Sequence, residues 1–191
     1  EPDLCPARIL TFGYNAAFKG STKSVATVTD FAKELLHEMR FSRDAAGTEP
    51  LNLGSRPIIF VVHSMGGLVA KKAYLLGLHD ETYKDIAKAV SAMIFLSTPH
   101  RGSNLAETLK RVLAATLQAP KSFISDLCRN SVTLEELNEQ FRHVAPDLCI
   151  WSFYETQETS IGPLKMMVLE KDSSSLGYPG EISCPLHADH R

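Results

Sequence analysis

Two kinds of apolar pattern recur along the chain. Pro57-Ile58-Ile59-Phe60-Val61-Val62 and Ala89-Val90-Ser91-Ala92-Met93-Ile94-Phe95-Leu96 are continuous apolar runs rich in β-branched residues, as expected of strands buried on both faces of a parallel sheet. Asp147 to Tyr154 reads as a third strong strand and Lys165 to Glu170 as a fourth, shorter one, while Arg8 to Tyr14 is a short run of strand formers near the start. Between these runs the period changes. From Val25 to Met39 the apolar positions are Val25, Val28, Phe31, Ala32, Leu35, Leu36 and Met39, which is helical spacing with one apolar face. Gly66 to Leu76 also reads as helix, as do stretches near 105–117, 121–128 and 133–143. Residues 41–54 are polar with Gly and Pro, and 172–191 carry Ser173-Ser174-Ser175 and Gly177-Tyr178-Pro179-Gly180, so both read as loop.

Strands separated by helices imply βαβ units and an α/β fold with a mainly parallel sheet flanked by helices. In such sheets chemistry gathers at the carboxyl ends of the strands, here after Val62, Leu96, Tyr154 and Glu170.

Immediately after the first buried run stands His63-Ser64-Met65-Gly66-Gly67, followed by a helix. A serine on a sharp strand-to-helix turn is a nucleophile elbow. The turn strains the serine backbone, so its neighbours must be small, and Gly66 is expected to let the helix pass close to the strand. The helix start aims its dipole and free N–H groups at the reacting centre, and the N–H of Met65 is the expected oxyanion donor. The usual motif is G-x-S-x-G; here Val62 takes the place of the first glycine. The bland alternative makes Ser64 only a helix N-cap.

An elbow serine needs an acid and then a base later in the chain. Glu155 stands at the end of the third strand, Asp172 follows the fourth, and Glu158 is a further carboxylate; the base is to be sought in the closing segment, at His187 or His190. His63 flanks the nucleophile, where the turn is expected to point it away from the proton to be taken.

Composition narrows the reading. The chain has 191 residues, 44% hydrophobic and 22% charged, enough for one folded domain over 1–191. Lys+Arg is 20 and Asp+Glu 22, a net charge of −2, so no phosphate-binding surface for nucleic acid is expected. No apolar run reaches the roughly 18 residues of a membrane span, and Glu1 to Pro6 does not resemble a signal peptide. Cys5, Cys128, Cys149 and Cys184 have no metal-site spacing, and they read as reduced, mostly buried thiols of an intracellular, cytoplasmic protein. No metal and no cofactor are expected.

The runs R-P-I-I-F-V-V-H-S-M-G-G-L-V-A-K-K-A, I-F-L-S-T-P-H-R-G-S, S-F-Y-E-T, L-G-Y-P-G-E and A-D-H-R, with A-R-I-L-T-F-G-Y-N-A at the start, resemble one group over nearly the whole chain. It is the α/β-hydrolase-like domain of fungal NACHT and ankyrin-repeat proteins, related to the serine-active-site-containing protein and the DUF676 lipase-like group. The resemblance implies Ser64 as nucleophile, Glu155 as acid and His190 as base, with Asp172 and His187 as the runners-up. It implies an ester or acyl-lipid substrate, a place in a longer multidomain chain, and peripheral association with a mitochondrial or endoplasmic reticulum membrane. Residues 104–143 would take the place of a cap or lid, and Thr98 to Gly102 would line the pocket. Domains of this kind begin with a strand ending in an H-G-x-G-like loop that supplies a second oxyanion N–H, and nothing before Arg8 supplies it. The expectation is therefore a truncated α/β-hydrolase-like domain lacking its N-terminal strands, with a gap in the sheet beside Ile58–Val62 or with Ile9–Tyr14 moved across to fill it.

Overall fold

The computed structural model describes residues 7–14, 27–100, 131–161 and 163–191. Four parallel strands form one sheet: β1 (Ile58–His63), β2 (Val90–Leu96), β3 (Cys149–Glu155) and β6 (Ile182–Leu186), in spatial order β1-β2-β3-β6. A separate antiparallel hairpin pairs β4 (Thr159–Ile161) with β5 (Leu164–Met166). The helices are α1 (Val28–Phe41), α2 (Gly66–His79), α3 (Lys84–Ala89), α4 (Ser131–Val144) and the single turn α5 (Lys171–Ser174).

Helix α1 has a local reason to start where it does. Thr27 caps α1 in a reciprocal pair with Asp30: the Thr27 hydroxyl accepts from the Asp30 N–H at 3.2 Å, and the Asp30 carboxylate accepts from the Thr27 N–H at 2.8 Å. These bonds hold the Asp30 carboxyl below its ordinary range. Phe31, Ala32, Leu35, Leu36 and Met39 of α1 are the residues it buries, against α2. Helix α2 lies on β1 and β2 and is touched on its far side by α3 and α4. Leu68, Met93, Phe95, Ile150, Leu137 and Phe141 join these pieces into one apolar core.

The sheet register sorts its residues into two faces. Phe60, Met93 and Ile150 stand side by side and point into that core, as do Val62 and Phe95. On the other face Val61, Ile94, Trp151 and Ile182 align, and there Ile59 is 60% and Val61 63% exposed. The expectation that the first strand is buried on both faces is thus corrected: among the described residues α2 covers one side of β1, and the other side stays exposed.

Three further expectations change. Arg8 to Tyr14 is not a strand; Ile9 is 88% exposed, and the segment is anchored instead by Phe12 and Tyr14, whose ring lies 4.5 Å from that of Phe31. A strand needs a neighbour for its ladder of N–H and C=O groups, and no described strand offers one there. The apolar stretch Lys165–Glu170 does not join the sheet: β5 ends at Met166, and Val168 and Leu169 turn inward, both buried. The fourth sheet strand is β6, inside the segment read as loop. Cys149 is exposed and Cys184 partly exposed, both as free thiols, whereas Cys5 and Cys128 lie outside the described residues, as do residues 104–130 of the expected cap and Arg101 and Gly102 of the expected pocket lining.

Candidate active site

Ser64 follows β1 directly and has φ +52°, a left-handed conformation that an L-residue adopts only when its surroundings impose it. Its N–H donates to the Leu96 carbonyl at 2.9 Å, and its own carbonyl accepts from Gly67 at 3.1 Å as α2 begins. The bend therefore sits between the carboxyl ends of β1 and β2 and a helix start. The small residue the packing requires is Gly67 rather than Gly66. A Cβ on Gly67 would lie 2.3 Å from the Thr98 hydroxyl, whereas one on Gly66 would meet nothing within 4 Å. Val62 sits comfortably on the covered face, partly buried against the core.

The side chain of Ser64 meets the end of the chain. Ser64 Oγ lies 3.0 Å from Nε2 of His190, and Nδ1 of His190 lies 2.8 Å from Oε2 of Glu155. All three are buried: Ser64 is 6%, Glu155 2% and His190 1% exposed. The other oxygen of Glu155 accepts from the N–H groups of Val168 and Leu169, each at 2.8 Å. A carboxylate facing Nδ1 makes that nitrogen the donor, which leaves the Nε2 lone pair for the Ser64 hydroxyl proton. The hairpin explains how a base so late in the sequence is fixed. Thr159, fully buried in β4, accepts the His190 N–H at 2.9 Å, and the residues just after β5 grip the acid. Met65 is the N-cap of α2, so its N–H is one of the donors that a helix start leaves without an intrahelical partner.

The other sequence candidates stand apart from this chain of bonds. Asp172 lies exposed on α5, and His187 is exposed with its Nε2 2.9 Å from the Gln157 amide nitrogen. Glu158 is likewise exposed. His63 was expected to point away, but its ring packs 5.0 Å from the His190 ring, at 45°. Partial burial of the ring, and then the charge of His190, hold the His63 imidazole below its ordinary range. The alternation of β1 puts residue 63 on the sheet side where β6 delivers His190, a relation visible only once β6 is known to be a strand.

A second buried polar group was not anticipated. Lys71 and His100 are 0% and 1% exposed, and Lys71 Nζ lies 3.0 Å from His100 Nδ1. Burial lowers the Lys71 pKa from 10.5 to about 7. Lys71 falls among the buried residues of α2, and nothing in the spacing of V-A-K-K-A sets it apart from Lys72.

A family model described as the PGAP1-like alpha/beta domain matches residues 17–136. Among curated proteins, Protein SERAC1 of Danio rerio is 40% identical over 128 residues, covering 65% of this chain and 19% of that protein. Protein SERAC1 of Bos taurus is 34% identical over 197 aligned residues, and that of Homo sapiens 32% over 197, each covering 97% of this chain and 28% of the relative. The chain thus spans less than a third of the length of these relatives. They are vertebrate proteins, and the fungal NACHT and ankyrin-repeat context, like the DUF676 grouping, finds no support in them. No solved structure matches.

Proposed function

The chain belongs to the PGAP1-like alpha/beta domain family, and from that premise we propose that it is a serine hydrolase acting on an ester bond. The observation that carries this reading is the buried line from Ser64 Oγ to His190 Nε2 at 3.0 Å and from His190 Nδ1 to Glu155 Oε2 at 2.8 Å, beginning at a serine with φ +52°. Ser64 Oγ attacks the ester carbonyl as Nε2 of His190 takes its proton. Glu155 keeps the imidazole in the productive tautomer and stabilises the imidazolium, and the Met65 N–H faces the developing oxyanion. Collapse of the tetrahedral species expels the alcohol, which leaves with the proton from His190. Water, deprotonated by the same ring, then releases the acid from Ser64.

An acyl-lipid is the substrate class we propose within this chemistry, with residues 104–130 as the cap over the acyl chain and the protein meeting its substrate at a membrane surface; α4, the rest of the expected cap, instead packs Leu137 and Phe141 into the core. Among the described residues no helix is long and apolar enough to cross a membrane.

A fluorophosphonate probe tests the assignment. Wild-type protein should be labelled at Ser64 and should hydrolyse short acyl esters, and Ser64→Ala should do neither. Labelling that persists in Ser64→Ala refutes it. A second reading, a hydrolase-shaped interaction module with weak turnover, draws on Val62 standing where the elbow motif has its first glycine. It predicts a folded protein whose Ser64 labels slowly and which hydrolyses none of these esters.

A further inference from the structure

Lys71 lies on α2, seven residues after Ser64 in the sequence and within the second turn of the helix. Its Nζ reaches two acceptors on separate elements: His100 Nδ1 at 3.0 Å, in the loop after β2, and Asn138 Oδ1 at 2.5 Å, on α4. The Phe141 ring of α4 faces the amine with its centroid 5.8 Å away. The Asn138 amide donates back to the His100 carbonyl, so the three residues close a cycle. His100 is tied onward, its N–H donating to the Ser173 carbonyl at 2.7 Å. Ser173 belongs to α5, which follows directly on Val168 and Leu169, the residues that grip Glu155. The segment 97–100 begins beside the elbow: Leu96 accepts the Ser64 N–H, the Ser97 N–H donates to the Phe153 carbonyl at 2.8 Å, and Thr98 packs on Gly67.

We infer that Lys71 is a positioning residue for this site: its amine holds the Ser97–His100 loop and α4 against the nucleophile helix, and through His100 it braces the segment that grips Glu155. Its link to turnover rests on the serine-hydrolase reading; the clamp itself does not. A stem of four methylenes in the core, ending in an amine that meets no carboxylate of the described residues at hydrogen-bond distance, is a poor way to gain stability. Its use is geometric, since few other side chains bridge from α2 to both a loop and a second helix. The titratable groups facing Nζ are His100 from the loop after β2 and Glu181 from the turn before β6, with Tyr178 one bond further, its hydroxyl donating to the Asn138 carbonyl at 2.8 Å. Both the ammonium and the free amine carry the two N–H groups that two acceptors need, so the clamp persists on either side of neutral pH.

Lys71→Met, which keeps most of the volume and loses every donor, is the test, with Asn138→Leu as a milder cut that leaves the lysine in place. Three quantities are read on each protein: cooperativity of urea unfolding, amide hydrogen exchange, and the rate of fluorophosphonate labelling per folded molecule. In Lys71→Met, exchange should rise in 97–100, 135–144 and 168–174, and labelling should slow about tenfold, because small displacements of an assembled site carry large kinetic penalties. Asn138→Leu should shift both in the same direction by about threefold. A merely structural lysine would lower stability and leave the labelling rate of the folded molecules unchanged; that result, or unchanged exchange in both variants, overturns the inference. If wild-type Ser64 does not react at all, the hydrolase reading fails, and exchange alone still decides the clamp.

Discussion

Two buried histidines flank the start of the nucleophile helix, and they differ in what faces Nδ1. At His190 it is a carboxylate oxygen of Glu155, 2.8 Å away; at His100 it is the amine of Lys71, 3.0 Å away. A carboxylate only accepts, so it fixes the proton on Nδ1 and turns the Nε2 lone pair toward Ser64. An ammonium only donates, so it makes Nδ1 the acceptor and puts the proton on Nε2. One ring is thereby prepared to take a proton, and the other is spent in holding its loop. Burial is the same for both, at 1% exposure, so burial does not distinguish a base from a brace; the partner does.

The sharpest way to break the comparison is to weaken the carboxylate. Glu155→Gln should lower kcat by about 10⁴-fold with little change in KM, because the amide permits the wrong tautomer of His190. An effect below about tenfold in steady-state ester hydrolysis would remove the distinction drawn here. The matched cut on the other ring, His100→Gln, should act on stability first, lowering it by roughly 1–3 kcal/mol in urea unfolding as the Lys71 amine loses its ring partner. Gly67→Ala tests the packing between the two networks. Its Cβ would lie 2.3 Å from Thr98, so the variant should lose about 1–3 kcal/mol, with slower Ser64 labelling in the folded fraction.

The lysine sharpens the comparison through pH. Its folded pKa of about 7 lies below the 10.5 of the unfolded chain, so between these values the unfolded state binds the extra proton. Stability from this group therefore rises with pH across that window, with a limiting slope of about 1.4 kcal/mol per pH unit, and it is flat below the window. Urea midpoints of wild type at pH 7.5, 8.5 and 9.5, set against Lys71→Met, should isolate that slope; parallel curves would deny it. The smallest effects belong to the candidates that stand outside both networks. Asp172→Asn and His187→Gln should leave stability within about 0.5 kcal/mol and ester hydrolysis near wild type.

How much of this was legible in the sequence follows from which signals are local. The elbow was legible because a β-branched run, a serine and a glycine three residues on stand close together in the sequence where the bend forms. Glu155 was legible because it ends a strong strand, and His190 remained one of two alternatives until the resemblance selected it. Strand β6 was not legible: Ile182-Ser183-Cys184-Pro185-Leu186 has no apolar period, since an edge strand with partly exposed faces needs none and tolerates a proline without an N–H. Val168 and Leu169 misled for the opposite reason. Their apolar side chains are buried under a turn whose N–H groups serve Glu155, and a buried turn and a buried strand share one composition. Lys71 was readable only as helix surface, because one-dimensional spacing does not say which lysine of a pair finds acceptors on other elements.

Ser64 and His190 are separated by 126 positions, and His190 is carried into place by a strand at the edge of the described sheet. If the serine-hydrolase reading holds, the elbow emerges during synthesis well before its proposed base, while β1, β2 and β3 assemble. Docking of β6 would then bring the base to the hydroxyl, so reactivity toward a fluorophosphonate would double as a reporter that β6 has docked.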